Sequence, residues 1–411
     1  MIPLRKASAP GAADVTHLRS SGTLRLPALP PLALYVHFPW CIRKCPYCDF
    51  NSHEAAGGVD ESTEARYLDA LRADLDLALP LIRGRRIISV FFGGGTPSLM
   101  SAAGLERLMS DLRARLPLEP SCEVTLEANP GTFEAAKFSA FRAAGVNRLS
   151  IGVQSFGGEQ LRRLGRVHDR AQALAAIAAA QREFDNFNLD LMFALPEQPL
   201  EAMQADVELA LDIAPPHLSL YQLTIEPNTV FAKYPPQLPD EDTAAAMQEW
   251  IEIRLAEAGY EHYEVSAYAR RGHECRHNVN YWQFGDYLGI GAGAHSKISF
   301  PGRILRQVRL RQPASYVAGA LNGAPLAESA EVPRDDLPFE FMLNALRLNA
   351  GVPVRLFSER TGLPASAIEP GLSKAEERGL LTVDLERVAP TLRGRRFLSD
   401  LQSVFLATHH R

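Results

Sequence analysis

Long apolar runs are missing from this chain. No stretch approaches the roughly 20 consecutive apolar residues that a membrane-crossing helix needs, so no integral membrane span is expected. Cysteine is scarce: five residues among 411, an odd number. That excludes the dense disulfide framework of a secreted protein and fits a reducing, cytoplasmic setting in which thiols stay free for metal. Net positive charge is missing too. The formal balance is −5, so neither a broad basic surface nor a nucleic-acid partner is expected. Acids are nearly absent from the first thirty residues, which are rich in Ala, Pro and Ser and lack the apolar centre of a secretory signal. Residues 1–31 read as a disordered tail, a composition that a transit peptide shares.

The remainder is globular in composition, 46% hydrophobic and 22% charged. A chain of this length exceeds one ordinary core, which predicts a large domain and a smaller one. Short β-branched-rich runs occur at 34–38, 87–92, 122–127, 148–153, 188–193 and 217–224. Between them lie stretches such as "STEARYLDALRADLDLAL" and "AAGLERLMSDLRARL", with apolar residues three and four apart. Strands alternating with helices imply parallel pairing. Eight such units close a full barrel; six predict an α/β fold with a partial (β/α)6 barrel over 32–265, an open doubly wound sheet being the other arrangement the pattern allows. The rhythm breaks in 266–332, where "RRGHECRHNVNYWQFGDYLGIGAGAHS" reads as ordered loop with short elements, a connecting region. From 333 to 411, helical stretches at 337–348, 354–361 and 365–378 precede two short strands in "GLLTVDLERVAPT" and a last helix near 397–406. That is a small helical, winged-helix-like C-terminal domain. Its charges are mixed, which argues against DNA.

Three of the five cysteines, Cys41, Cys45 and Cys48, crowd into "PWCIRKCPYCDF", directly after the first predicted strand. Thiolates select zinc, copper(I) or iron–sulfur clusters. A structural zinc site needs a fourth ligand, typically from a second pair; His37 and His53 flank the run, but His37 falls inside the predicted strand. A cubane [4Fe–4S] cluster normally takes four cysteines, and held by three it leaves one iron open to a non-protein ligand. Polar or glycine residues recur at the carboxyl ends of the other strands, where barrel enzymes build their sites. They are "GGGTP" (Gly93 to Pro97), Glu127 and Asn129, Gln154, Arg166, Asp190 and Tyr221. Glycine admits a close ligand, a carboxylate accepts two hydroxyls of a ribose, and a guanidinium clamps a carboxylate. Each alone is equally a satisfied core polar group.

Together these motifs resemble the radical S-adenosylmethionine superfamily, in the branch that contains oxygen-independent coproporphyrinogen III oxidase. The resemblance runs from about Leu34 to the C-terminal domain. It implies a [4Fe–4S] cluster on Cys41, Cys45 and Cys48, its unique iron chelated by the amino and carboxylate groups of S-adenosylmethionine. It further implies that Tyr35 and Tyr47 flank cluster and cofactor and that Gly94, Gly95 and Thr96 contact the methionine part. Glu127 and Gln154 would bind the ribose side, Arg166 would pair with the cofactor carboxylate, and Asp190 would hold the nucleoside.

The oxidase extends its motif to a fourth cysteine where this chain has Phe50, and it carries a longer N-terminal region. "CPYCDFNSH" and "HNVNYW" instead resemble the heme chaperone branch. The expected function is therefore a carrier that binds heme and transfers it to an acceptor protein. Coproporphyrinogen oxidation by radical decarboxylation, in heme biosynthesis, is the alternative. On the carrier reading His277 offers an imidazole to heme iron, and Tyr281 and Trp282 offer flat faces to a porphyrin. Cys275 and His273 are alternative ligands. "GIGAGAHS" does not meet the dinucleotide fingerprint; His295 within it is expected to face the cavity. Arg43 and Lys44 are either solvated charges or a steering patch for a flavodoxin-type reductant, and the resemblance allows a homodimer.

Overall fold

The computed structural model describes residues 24–131, 135–384 and 386–406. Six strands, β1 (Leu32–Phe38), β2 (Ile87–Gly94), β3 (Leu118–Ala128), β4 (Arg148–Gln154), β5 (Phe187–Phe193) and β6 (His217–Gln222), stand where the apolar runs predict them. They pair in parallel in chain order. The main helices between them are α1 (Glu61–Ile82), α2 (Ala102–Arg115), α3 (Phe138–Ala144), α4 (Arg170–Glu183) and α5 (Leu200–Ile213), with a short helical turn at Gly158–Arg163. Each start has a local cause where a cap is present. Asp60 accepts from the Thr63 amide ahead of α1, and Ser101 accepts from the Gly104 amide ahead of α2. α1 buries Tyr67, Leu68, Leu71, Leu75, Ala78 and Ile82, one stripe at helical spacing.

Alternation along the strands separates two faces. Leu34, Val36 and Phe38, Val90 and Phe92, Val124 and Leu126, Leu149, Ile151 and Val153 join the core shared with the helices. The opposite set, Tyr35, Phe91, Thr125, Glu127, Arg148, Ser150, Asn188, Asp190 and His217, lines the inner face of the partial barrel, the lumen. Register places Tyr35, Phe91, Thr125 and Arg148 in one row across four strands.

The sheet is larger than six strands. β7 (Glu261–Glu264) and β8 (Ala267–Ala269) form an antiparallel pair, with helix α6 (Glu241–Glu257) before it and helix α7 (Arg276–Trp282) after it in the chain. Then come β9 (Asp286–Ile290), β10 (His295–Phe300), β11 (Arg303–Arg309), helix α8 (Pro313–Leu321) and β12 (Leu326–Glu331). The order is β12-β11-β10-β9-β1-β2-β3-β4-β5-β6-β8-β7. β9 joins β1 in parallel and β8 joins β6 antiparallel, so β1 and β6 do not meet and the barrel stays open. Residues 266–332, expected as loop with short elements, thus supply five strands of the main sheet. β9 is five residues long, contains Gly289 and is buried throughout; it has no alternation for a period-two reading to detect.

The C-terminal part packs helices Leu337–Ala345, Val354–Thr361 and Glu369–Glu377 against a three-stranded sheet (Val352–Pro353, Leu381–Val383 and Arg387–Pro390). Residues 24–31 differ from a loose tail. Leu24 and Leu26 are buried in the C-terminal core, the Leu26 amide donates to the Pro301 carbonyl, and the Arg25 amide donates to the Gly362 carbonyl. Two leucines spaced two apart suffice to hold an extended segment there. Residues 1–23 lie outside the described residues. Among those described, no helix is long and apolar enough to cross a membrane.

A buried ion pair fastens the added strands to the barrel. Arg309 on β11 reaches Asp74 on α1 at 3.3 Å, both almost wholly buried. Tyr316 on α8 donates to the same carboxylate at 2.9 Å, and Arg309 also donates to Ser296 Oγ at 2.6 Å. Removing one partner strands a buried charge. Asp74→Ala is therefore expected to cost about 3–5 kcal/mol, measured as a lower denaturant midpoint at unchanged slope.

Candidate functional site

The carboxyl ends of β1 and β2 approach each other too closely for side chains. The Gly95 amide donates to Phe38 O and the Thr96 amide to Trp40 O, both at 2.7 Å. A Cβ on Gly95 would sit 2.5 Å from Trp40 O, and one on Gly94, at φ +120°, 2.5 Å from the His37 ring. The glycine run is thus required by backbone contact. From this junction hangs the cysteine loop. Its base is closed by the short parallel pair Trp40–Cys41 with His53–Glu54, and Lys44 Nζ donates to the carbonyls of Phe50 (3.0 Å) and Ser52 (3.3 Å).

Cys41, Cys45 and Cys48 are free and half-buried. Each sulfur meets at least one hydrogen-bonding group. Thr96 Oγ1 donates to Cys41 Sγ at 3.5 Å and Arg166 Nη1 to Cys45 Sγ at 3.6 Å; Ser52 Oγ lies 3.7 Å from Cys48 Sγ. Asn129 Nδ2 donates to Thr96 Oγ1 at 3.0 Å, and Arg166 Nη2 donates to Asn129 Oδ1 at 2.7 Å. A hydrogen-bonded chain therefore runs from Cys41 through Thr96, Asn129 and Arg166 to Cys45, with a donor facing sulfur at both ends.

The two histidines weighed as zinc ligands are engaged elsewhere. His37 Nε2 lies 2.9 Å from Asn51 O and its Nδ1 3.0 Å from Tyr35 Oη; His53 Nε2 lies 3.3 Å from Asn51 Oδ1. Among the described residues no three His, Cys, Asp or Glu side chains are grouped to hold a single metal ion. Phe50, at the place of a fourth cysteine, is 63% exposed. Three thiols with hydrogen-bonding neighbours and, among the described residues, no fourth protein ligand fit a polynuclear iron–sulfur group better than tetrahedral zinc.

The lumen beside the loop is polar. Glu127 accepts the Gly94 amide at 3.1 Å. Burial first, then the neighbouring Asp190 charge, pushes its carboxyl up to about 8. Burial also raises Asp190, against the donors Ser150 (2.9 Å) and Asn188 (2.8 Å). Arg166 Nη2 donates to Gly152 O at 2.7 Å, while its buried Nε has no partner. Gln154 ends β4 at φ +69°, the left-handed region that non-glycine residues seldom adopt. Tyr47 packs on the cluster Leu164, Leu195, Leu223 and Phe231. Tyr221 is 42% exposed. Tyr35 stacks on Phe91 at 6.4 Å.

The second set of expected residues lies elsewhere. α7 docks its N-terminus on Glu123, whose Oε1 accepts the Arg276 amide at 2.9 Å and the His277 amide at 3.4 Å, a carboxylate on a helix N-terminus. His277, 8% exposed, lies against Phe91 (5.0 Å) and Tyr35 (6.3 Å), with Nδ1 3.3 Å from Ser89 Oγ. Ser89 lies in the amino-terminal half of β2 and pairs with Glu123 at the middle of β3, well before the strand ends that carry the cysteine loop, so His277 faces the lumen from the end opposite the cysteines. Burial, then the Arg148 charge, pulls its imidazole down to about 3. Tyr281 and Trp282 contact each other at 5.1 Å but turn away from that ring. Tyr281 lies on Tyr287, and Trp282 lies under Arg347 and against the C-terminal core. Cys275 is buried, its thiol pushed up to about 12 by burial. The His273 amide closes a turn on Arg270 O, and His295 is exposed at the start of β10. Sequence reasoning missed Ser52, Asn51, Arg148, Ser150 and Asn188. The last three share the inward parity of Gln154 and Asp190, a signal that counting back by twos along each strand recovers.

Comparison with known proteins gives a consistent set of matches. The family model "Radical SAM superfamily" matches residues 35–210, and "HemN C-terminal domain" matches 332–397. A protein of Escherichia coli (strain K12) named heme chaperone HemW is 48% identical, the match covering 92% of this chain and 99% of that one. Proteins of the same name from Haemophilus influenzae (strain ATCC 51907 / DSM 11121 / KW20 / Rd) and Bacillus subtilis (strain 168) are 45% and 34% identical; the matches cover 93% and 90% of this chain and 99% and 98% of theirs. Among solved structures, coproporphyrinogen III oxidase (HemN) from Escherichia coli superposes with a TM-score of 0.78 at 25% identity, covering 92% of this chain and 90% of that one.

The raised Glu127 carboxyl has a pH signature in the ligand-free protein. Its folded value, about 8, lies above its ordinary 4.5. The protonated acid therefore favours folding; that contribution is complete below 4.5 and is lost as pH rises through 8. Glu127→Gln should flatten the fall of the thermal midpoint across this window. Parallel pH profiles for variant and parent would show a solvated carboxylate instead.

Proposed function

The chain belongs to the radical SAM superfamily, in its HemW family, and from that premise we propose that it is a heme carrier: it binds heme, passes it to an acceptor protein, and holds a [4Fe–4S] cluster with exchangeable S-adenosylmethionine. The observation that carries this reading is the triad of hydrogen-bonded thiols with no fourth protein ligand among the described residues, in a chain alike over nearly its whole length to proteins named heme chaperones. Cys41, Cys45 and Cys48 would hold the cluster, and Thr96, Arg166 and Ser52 would temper the charge on their sulfurs. The cluster, when bound, supplies a redox-active iron open to a chelating amino acid. Arg166 retains an unpartnered Nε for the cofactor carboxylate. Gly94, Gly95 and Thr96 would frame its methionine part, with Tyr35 and Tyr47 flanking. Glu127 and Gln154 would meet its ribose, and Asp190 its nucleoside. Glu127, largely protonated near neutral pH, would donate as well as accept.

For heme, His277 would offer a neutral imidazole, as iron ligation requires. Tyr281 and Trp282 would act at the junction with the C-terminal domain. Lys44 donates within its loop yet stays exposed, as does Arg43, so both would be open to a flavodoxin-type reductant. Oxidative decarboxylation is less well supported: the oxidase shares the fold, but Phe50 stands where its motif has a cysteine.

Anaerobically reconstituted protein, offered heme and separately coproporphyrinogen III, is expected to bind heme stoichiometrically and leave the porphyrinogen unchanged. Protoporphyrinogen formation with consumption of S-adenosylmethionine would overturn the carrier reading. Cys41→Ser, Cys45→Ser or Cys48→Ser should each abolish the visible absorbance of the cluster, whereas Cys122→Ser and Cys275→Ser should keep it. His277→Ala should weaken heme binding and shift the heme absorption band; an unmoved band would place the iron on another residue.

A further inference from the structure

Arg148 is used neither by the thiol site nor by the docking of α7. It opens β4 with inward parity, since Leu149, Ile151 and Val153 pack on the helices, and it is only 2% exposed. A guanidinium keeps its charge at any physiological pH, and a buried cation needs an anion close by. Among the described residues it has no ion pair and no hydrogen bond, and its Nε is buried without a partner. Across the strand pair lies Thr125, whose buried Oγ1 is also unpartnered.

The carboxylates that act on Arg148 from a distance make their hydrogen bonds elsewhere. Glu123 holds the first amides of α7, and both oxygens of Asp190 are taken by Ser150 and Asn188. The imidazoles of His217 and His277 face the same cation and are held neutral by burial and by its charge. The inner end of the lumen therefore holds a guanidinium that senses Glu123 and Asp190 only at a distance and has no hydrogen-bonded acceptor among the described residues, a planar fork that matches a carboxylate.

The same register row supplies a flat wall. Tyr35 and Phe91 stack beside Thr125 and Arg148, and the His277 ring lies against both aromatics. Gly152, whose carbonyl holds Arg166 beside Cys45, lies four positions beyond Arg148, about 13 Å along the strand. A ligand anchored at Arg148 that also reaches the thiol end must span that depth, which a small free acid does not. We propose that Arg148 is the anchor for a propionate carboxylate of a tetrapyrrole lying against the Tyr35–Phe91–His277 wall. The proposal rests on the heme-carrier reading.

The test is an anaerobic titration of the full-length, cluster-reconstituted protein with iron protoporphyrin IX and with its dimethyl ester, for the parent, R148Q and R148K. The parent should prefer the free acid by about tenfold or more. R148Q should bind both alike, at the parent's affinity for the ester. R148K, which keeps the charge without the fork, should fall between. Equal affinity of the parent for acid and ester, or a preference that survives R148Q, overturns the anchor while leaving heme binding intact. Failure of the parent to bind either compound sinks the carrier reading and the tetrapyrrole assignment with it. Should R148Q not fold, the parent's ester discrimination and its size in R148K decide.

Discussion

Two strand ends touching backbone to backbone set the geometry of everything above them. Phe38 O and Trp40 O receive the amides of Gly95 and Thr96, and no Cβ fits between. This contact fixes where the chain leaves β1 and hence where the cysteine loop begins. It also sets Thr96 against Cys41 and turns the Gly94 amide to Glu127. A strand pair separated even slightly further would lose both the donor at sulfur and the carboxylate position at once. The glycines matter here through what they allow their neighbours to do.

The lumen inverts the usual logic of a core. Its outward residues are apolar and packed, whereas its inward residues are charged, hydroxylic or aromatic, and most of them are satisfied by one another. Asp190, Ser150, Asn188 and His217 form one such network across three strands. Interiors of this kind are rigid where they are complete and open to ligand where they are not. Incompleteness is local: the Nε of Arg166 at the thiol end, and Nε of Arg148 with Oγ1 of Thr125 at the other. The ends of the lumen are thus chemically distinct, and a molecule lying along it would meet a different guanidinium at each.

Much of this was legible in the sequence, for reasons that differ from residue to residue. The six core strands announce themselves because each is an apolar run bounded by loop signals and followed by an amphipathic helix. Thr96, Glu127, Gln154 and Arg166 stand out because polar residues at successive strand ends are rare without a purpose. β9 was hidden because five residues buried on both faces carry no period. Ser52 was hidden because a loop serine has no periodic context. His277 illustrates the harder limit. Its identity suggested a ligand, but its position depends on a helix N-terminus docking on Glu123, 153 residues before Arg276, and no local pattern encodes such a contact. Tyr281 and Trp282 share its helix and yet serve the domain junction.

The chain of hydrogen bonds from Cys41 to Cys45 makes Arg166 a shared resource. It faces a sulfur, an amide oxygen and a strand carbonyl simultaneously. A shift of this guanidinium away from Cys45 would loosen its hold on Asn129 as well, and through Asn129 on the hydroxyl that serves Cys41. By thermodynamic reciprocity the converse holds: whatever adds negative charge at those sulfurs tightens the hold and makes the guanidinium harder to draw away. Charge at the two sulfurs and the position of the Arg166 guanidinium are therefore linked through three side chains, Thr96, Asn129 and Arg166.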